Sequence, residues 1–178
     1  MVQTQIDRVE QGLARVKSRL PATPVEEILL SRLIVVLGRE YSALFDRLLR
    51  PRGLTEPDFR VLTMIFSHAD GTAFPSDLCS SMAQSPANIT RITDILVERD
   101  LITRESSESD RRRMVLRITP RGAALLHECL PQTSELAKRV FSCLSRAEIR
   151  SVIEQLKRVA VSLDDQALDT QADARGTI

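Results

Sequence analysis

Residues 85–121 read SPANITRITDILVERDLITRESSESDRRRMVLRITPR, and their order decides the fold. Ser85 carries an oxygen that can cap a helix, and Pro86 suits its first turn. The helix is predicted to run to about Arg99, with Ile89, Ile92, Leu96 and Arg99 along one side and Ile95 beside them. The apolar members face a core. The opposite side presents Ala87, Asn88, Arg91 and Asp94, flanked by Ser85 and Thr90. Two short β-prone runs follow, Leu101 to Glu105 and Met114 to Ile118, joined by SSESDRRR, which is polar enough to be a solvated hairpin loop.

Working outward, a helix starting at Pro75 carries Leu78 and Met82 inward and breaks at Gln84-Ser85. Before it, Thr55-Glu56-Pro57-Asp58 is a capping signal for a helix to about Ser67, whose inward stripe is Phe59, Leu62, Ile65 and Phe66. His68 to Phe74 is read as a turn leading to a short extended piece. A helix, a helix, a brief break, a helix and a two-stranded hairpin with a charged tip form a winged helix-turn-helix.

Long apolar helices flank this unit. Ile6, Val9, Leu13, Val16 and Leu20 form a seam on a first helix that needs another helix or another subunit to cover it. Thr23-Pro24-Val25-Glu26 predicts a capped second helix, apolar around much of its circumference from Ile28 to Leu49 and so expected between several neighbours. Thr119-Pro120 starts a later helix with Leu125, Leu126, Cys129 and Leu130 inward, which Pro131 is expected to bend or break. Ser145-Arg146-Ala147-Glu148 is a further capping box, and pattern is lost from about Asp165. The fold class is mainly α (α+β), a winged helix-turn-helix inserted in a helical dimerisation lobe. The division expected is 1–54 and 123–165 for dimerisation, 55–122 for DNA binding, and 166–178 as a disordered tail.

The recognition chemistry is that of duplex DNA. In a major groove, Asn pairs two groups on adenine, Arg two on guanine, and hydroxyls take bases or phosphates. Net charge is only +1, so placement must decide the partner. From Arg99 to Arg121 there are seven arginines (99, 104, 111, 112, 113, 117 and 121) against four acids, a local excess of three. The densest point is Asp110-Arg111-Arg112-Arg113 at the hairpin tip, and arginine on a thin loop suits a narrow minor groove. The bland alternatives are a solvated surface helix and a solvated charge run. Their succession in one stretch favours an interface made of Ser85, Ala87, Asn88, Thr90, Arg91 and Asp110 to Arg113.

Together, Leu54-Thr55, SPANITRITDILVERDLITR, the DRR tip and RITPRG make the sequence resemble the MarR family of bacterial transcription regulators. The family's D-x-R wing motif is matched by Asp110-x-Arg112, and L-T-x-x-G after the wing by Ile118-Thr119-Pro120-Arg121-Gly122. EEILLSRL, PSDLCSSM and LSRAEIRSVIEQLKRV extend the likeness to the multidrug-efflux repressors of the EmrR/MprA type over roughly residues 6–165. The resemblance implies a homodimer on a pseudo-palindromic operator, released by a small lipophilic or phenolic inducer. It also implies a ligand pocket lined by residues 24–50, 55–67 and the start of 120–143, where Arg32, Arg39 and Tyr41 are the candidates. Asp100 stands where the family usually has Gly, and Asp tolerates a left-handed turn better than most residues.

Composition bounds the rivals. The chain has 178 residues, 43% of them hydrophobic and 28% charged, a globular composition with room for one ordinary domain. No apolar run approaches the ~20 residues of a membrane span, and the polar N-terminal stretch predicts no secretory signal. Cys79, Cys129 and Cys143 are widely spaced, which argues against a zinc ribbon or disulfide framework and favours inert core thiols in a cytoplasmic protein. With no Trp and 3% aromatics, stacking on single strands is disfavoured. No nucleotide-binding, hydrolase or metalloprotease motif is present, so no enzyme activity, cofactor or metal is expected. A winged-helix adaptor for proteins and a cysteine-based redox-sensing regulator remain the alternatives.

Overall fold

Thr55 opens the helix that organises the core. Its hydroxyl accepts the Asp58 backbone N–H at 3.5 Å, while the Asp58 carboxylate accepts the Thr55 N–H at 2.8 Å, so two orphan donors are satisfied reciprocally. The computed structural model describes the backbone over residues 2–106 and 113–175 and the side chains as far as residue 165. In it the capped helix is α3 (Glu56–Ser67), preceded by α1 (Val2–Arg19), α2 (Val25–Leu49) and one 3-10 turn (Arg50–Arg52). Then come β1 (Thr72–Ala73), α4 (Pro75–Met82), α5 (Pro86–Glu98), β2 (Ile102–Ser106), β3 (Met114–Ile118), α6 (Pro120–Val140) and α7 (Arg146–Arg175). Thr55→Ala is expected to lower stability by about 1 kcal/mol, the usual worth of such a cap. Urea unfolding with an unchanged midpoint would show that Asp58 suffices alone.

Leu62, Ile65, Leu78, Ile89, Ile92, Leu96, Leu101 and Ile102 are fully buried together, which fixes α3, α4, α5 and the start of β2 around one core. Each contributes roughly 1.5–3 kcal/mol of apolar burial. The hairpin of β2 and β3 pairs antiparallel from Ile102 opposite Ile118 to Ser106 opposite Met114. It gains a third strand where the sequence suggested only a short extended piece before Phe74. β1 pairs with β3, giving the order β1-β3-β2. Two residues are too few to show a period of alternation.

Several other expectations are corrected. Thr23 does not cap α2. The Thr23 carbonyl accepts the Val25 N–H at 2.9 Å in a tight turn, so Pro24 becomes the N-cap and Glu26 falls one position short of a capping box. Within one chain α2 packs on α1 and α3, and Leu30, Ile34, Val35 and Leu37 remain exposed. Phe66 is exposed as well, because the residue after Ile65 turns off the inward stripe, and its ring meets the edge of His127 at 5.4 Å. Pro131 does not break α6. It removes a single N–H from the ladder, and just beyond it the Thr133 hydroxyl donates to the Cys129 and Leu130 carbonyls of the preceding turn. Of the cysteines, Cys129 is buried and burial pushes its thiol up, Cys79 is half-buried, and Cys143 is exposed instead of being a core residue.

By internal packing the chain divides at Thr133/Ser134. The second unit holds the end of α6 and α7, whose Ser145–Glu148 capping box forms as expected. Its helix continues to Arg175 past the point where pattern is lost, since the intervening residues lack a proline or glycine to stop it. Around its turn, Phe141, Leu144 and Ile149 line a groove beside Lys138 and Arg146.

Candidate nucleic-acid interface

The break between α4 and α5 is made by Ala83, which adopts a left-handed conformation (φ 50°) and ends α4 with its N–H on the Ser80 carbonyl. Ser85 then starts α5. Its hydroxyl accepts the Asn88 N–H at 3.3 Å. Ile89, Ile92 and Leu96 anchor the helix in the core, so the opposite face is turned out. Ala87, Thr90, Arg91 and Asp94 are exposed there and Asn88 is half-buried, which brings the helical candidates together on one face. The Thr90 hydroxyl donates to the Pro86 carbonyl at 2.9 Å.

Asn88 donates through Nδ2 to Gln84 Oε1 at 2.6 Å and accepts from Arg91 Nε and Nη2 at 3.3 and 3.1 Å. Asp94 is engaged elsewhere. Its carboxylate lies 2.6 Å from Arg104 Nη2 on β2, and the same nitrogen donates to Thr93 Oγ1 at 2.7 Å. One arginine thereby ties the first wing strand to the exposed helix. Asp94 is part of that tie, and its charge is already matched before any ligand arrives.

The wing arginines are not one uniform field. Arg99 turns inward and donates to the Arg52 carbonyl at 2.8 Å and to the Gly53 carbonyl. Arg117 pairs with Glu105 at 3.0 Å and donates to the Asp70 carbonyl at 3.0 Å, binding β3 to β2 and to the turn before β1. That guanidinium, with Thr103, holds the Glu105 carboxyl below the usual range. Arg113, at the foot of β3, lies 4.0 Å over the Phe74 ring, which fixes the entry of the wing by a cation–π contact. Asp110, Arg111 and Arg112 lie outside the described residues. Asp100 does take the left-handed conformation (φ 57°), and its carbonyl accepts the Thr119 hydroxyl at 2.8 Å, so aspartate serves at that turn.

The three ligand candidates all sit on α2. Arg32 is exposed, and Arg39 is tied to Gln5 on α1 at 3.0 Å and to Glu40 at 3.2 Å. Tyr41 packs at a tilt against Phe45 (5.1 Å between centroids), which in turn meets Phe59 at 6.2 Å, and burial pushes the Tyr41 phenol up. None of them lines the cavity at the end of α2 formed by Asp46, Arg50, Gly53, Leu54 and Thr55. Sequence reasoning missed Gln84 and Phe74: the first acts through the orientation of its amide toward Asn88, and the second through a contact with Arg113 that only the fold brings about. The only available signals were a glutamine just before a cap and a lone aromatic just before a helix. Among the described residues no helix is long and apolar enough to cross a membrane.

Comparisons with known proteins agree with this geometry. The model of the MarR family matches residues 54–114. The transcriptional repressor MprA of Escherichia coli (strain K12) is 33% identical over 158 residues, covering 89% of this chain and 89% of MprA. The HTH-type transcriptional regulator MhqR of Bacillus subtilis (strain 168) is 28% identical over 74% of this chain and 91% of its own length. Among solved structures, the C80S mutant of MarR from E. coli, complexed with operator DNA, matches with a TM-score of 0.69 at 27% identity, over 75% of this chain and 95% of that one. With identity at this level along nearly its whole length, and with the winged fold in common, the chain belongs to the MarR family and is a DNA-binding transcriptional regulator.

Proposed function

We propose that this regulator is a cytoplasmic homodimeric repressor of a multidrug-efflux operon, bound to a pseudo-palindromic operator and released by a small lipophilic or phenolic ligand. The observation that carries the DNA-binding part is the exposed Ala87–Asn88–Arg91 face above buried Ile89, Ile92 and Leu96, tied to the wing through Arg104. On this reading Ser85, Ala87, Asn88, Thr90 and Arg91 meet the major groove and Arg111, Arg112 and Arg113 the flanking minor groove, with Asp110 holding the Arg112 guanidinium extended. The dimer reading draws on the apolar side chains of α1, α2 and α7 that this chain leaves uncovered, Val16, Val35, Leu37 and Leu156 among them. Residues 1–54 and 123–165 would supply that contact and residues 55–122 the DNA contact. The efflux operon and the ligand rest on the likeness to repressors of the EmrR/MprA type. A phenolic ligand would find partners in Tyr41 and its aromatic neighbour Phe45, with Arg32 or Arg39 for an acidic group. Nothing in this reading calls for a catalytic step.

Arg112→Ala tests it. The variant is expected to weaken binding to promoter duplex and to reduce the slope of log affinity against log salt by about one phosphate contact. Unchanged affinity and slope would remove the wing tip from the interface. A protein adaptor would show no such salt dependence in the first place.

A further inference from the structure

The Gln84–Asn88–Arg91 chain can be read further than its presence on an exposed face. A guanidinium has only donors. The Asn88 atom facing Arg91 must therefore be Oδ1, which turns Nδ2 toward Gln84, and the Gln84 atom that meets it must be Oε1. Both amide orientations follow from the arginine. Reading adenine requires an asparagine to offer its oxygen and its amino group together. Both of these atoms in Asn88 are already bonded within the protein, at 2.6 and 3.1 Å. Arg91, by contrast, uses its Nε and Nη2 side on Asn88 and keeps its end-on fork, with one N–H from each terminal nitrogen, clear of every bond among the described residues. The carboxylate three residues further along, Asp94, would draw the guanidinium away, but it is held by Arg104 at 2.6 Å.

We infer that Arg91 is the base-reading side chain of α5, selecting a guanine through its free fork, and that Asn88 and Gln84 are positioning residues that act through it. The inference rests on the DNA-binding reading above. Its physical basis is preorganisation: a long arginine that is already ordered loses less freedom when it docks. Guanine presents O6 and N7 side by side, the acceptor pair that such a fork matches.

The test uses the full-length protein and a duplex that the wild type selects from a random-sequence pool, together with its single-base-pair substitutions. Arg91→Ala is expected to flatten the preference at one G·C pair in each half-site by about tenfold to a hundredfold. Asn88→Ala and Gln84→Ala are expected to flatten the same pair by about three- to tenfold, the worth of an ordinary hydrogen bond. Gln84→Glu retains an acceptor oxygen for Asn88 and is expected to retain the preference, which keeps the test valid even if the alanine variant unfolds. Gln84→Ala should also leave the salt slope and the affinity for random duplex unchanged, which a merely structural role would not spare. Flattening of an A·T pair by Asn88→Ala, or equal weakening on all sequences by Gln84→Ala, overturns the relay while DNA binding stands. A wild type that selects no duplex overturns both.

Discussion

Gly122→Ala is expected to cost at least about 3 kcal/mol, the upper end for overpacking, and to leave little folded protein at elevated temperature. A Cβ at this position would stand 2.1 Å from the Leu101 carbonyl oxygen and 3.0 Å from its carbon. Both are backbone atoms, so no rotamer change relieves the clash. That carbonyl also accepts the Thr119 N–H at 3.1 Å, and the Thr119 hydroxyl accepts the Gly122 N–H at 3.0 Å. The glycine thus lets the first turn of α6 rest directly on the start of the wing, and the constraint is space, not φ. Gly12→Ala and Gly38→Ala are the controls, since a Cβ at either has nothing within 4 Å. Each lies inside a helix and should gain about 0.5–1 kcal/mol. Urea unfolding measures all three. A Gly122→Ala protein within about 1 kcal/mol of wild type would mean that the α6–wing contact yields easily.

The second large effect is at Arg99. Removing its guanidinium strips charged donors from the Arg52 and Gly53 carbonyls, which close the turn after α2. Arg99→Ala is expected to lose about 1.5–3 kcal/mol, the range for hydrogen bonds to charged groups. The salt slope of DNA binding should not change, because this arginine neutralises no phosphate. Denaturant unfolding and a salt titration on one preparation separate the two roles. A slope reduced by about one at unchanged stability would return Arg99 to the basic surface.

The order of elements was legible because the signals that set it are local. Thr55 with Asp58, Ser85, and Ser145 with Glu148 each place a side-chain oxygen where a helix leaves N–H groups unpaired, and all three form. Ile89, Ile92 and Leu96 mark the buried side of α5 by spacing alone, so the exposed candidates on its other side could be named. Thr23 shows the limit. Its capping pattern is as good as Thr55's, but a tight turn at Thr23 itself, closed on the Val25 N–H, shifts the register by one. The fate of the arginines was not legible for a related reason. Arg99 finds carbonyls 46 and 47 positions away, and Arg104 a carboxylate and a hydroxyl one element back. Charge counting along the chain treats them as equal to Arg112, whereas the fold assigns them to holding the unit together. Gln84 was invisible because its work depends on the orientation of two amides, which only the guanidinium of Arg91 settles.

The central claim is that α5 and the wing grip duplex grooves twice per assembled pair of chains. Binding of the purified protein to duplex from its own promoter, followed from low to physiological salt with the stoichiometry determined at saturation, tests it most directly. The account predicts two chains per site and a log–log salt slope steep enough to report several phosphate contacts. One chain per site, a slope near zero, or no binding in dilute buffer would contradict it.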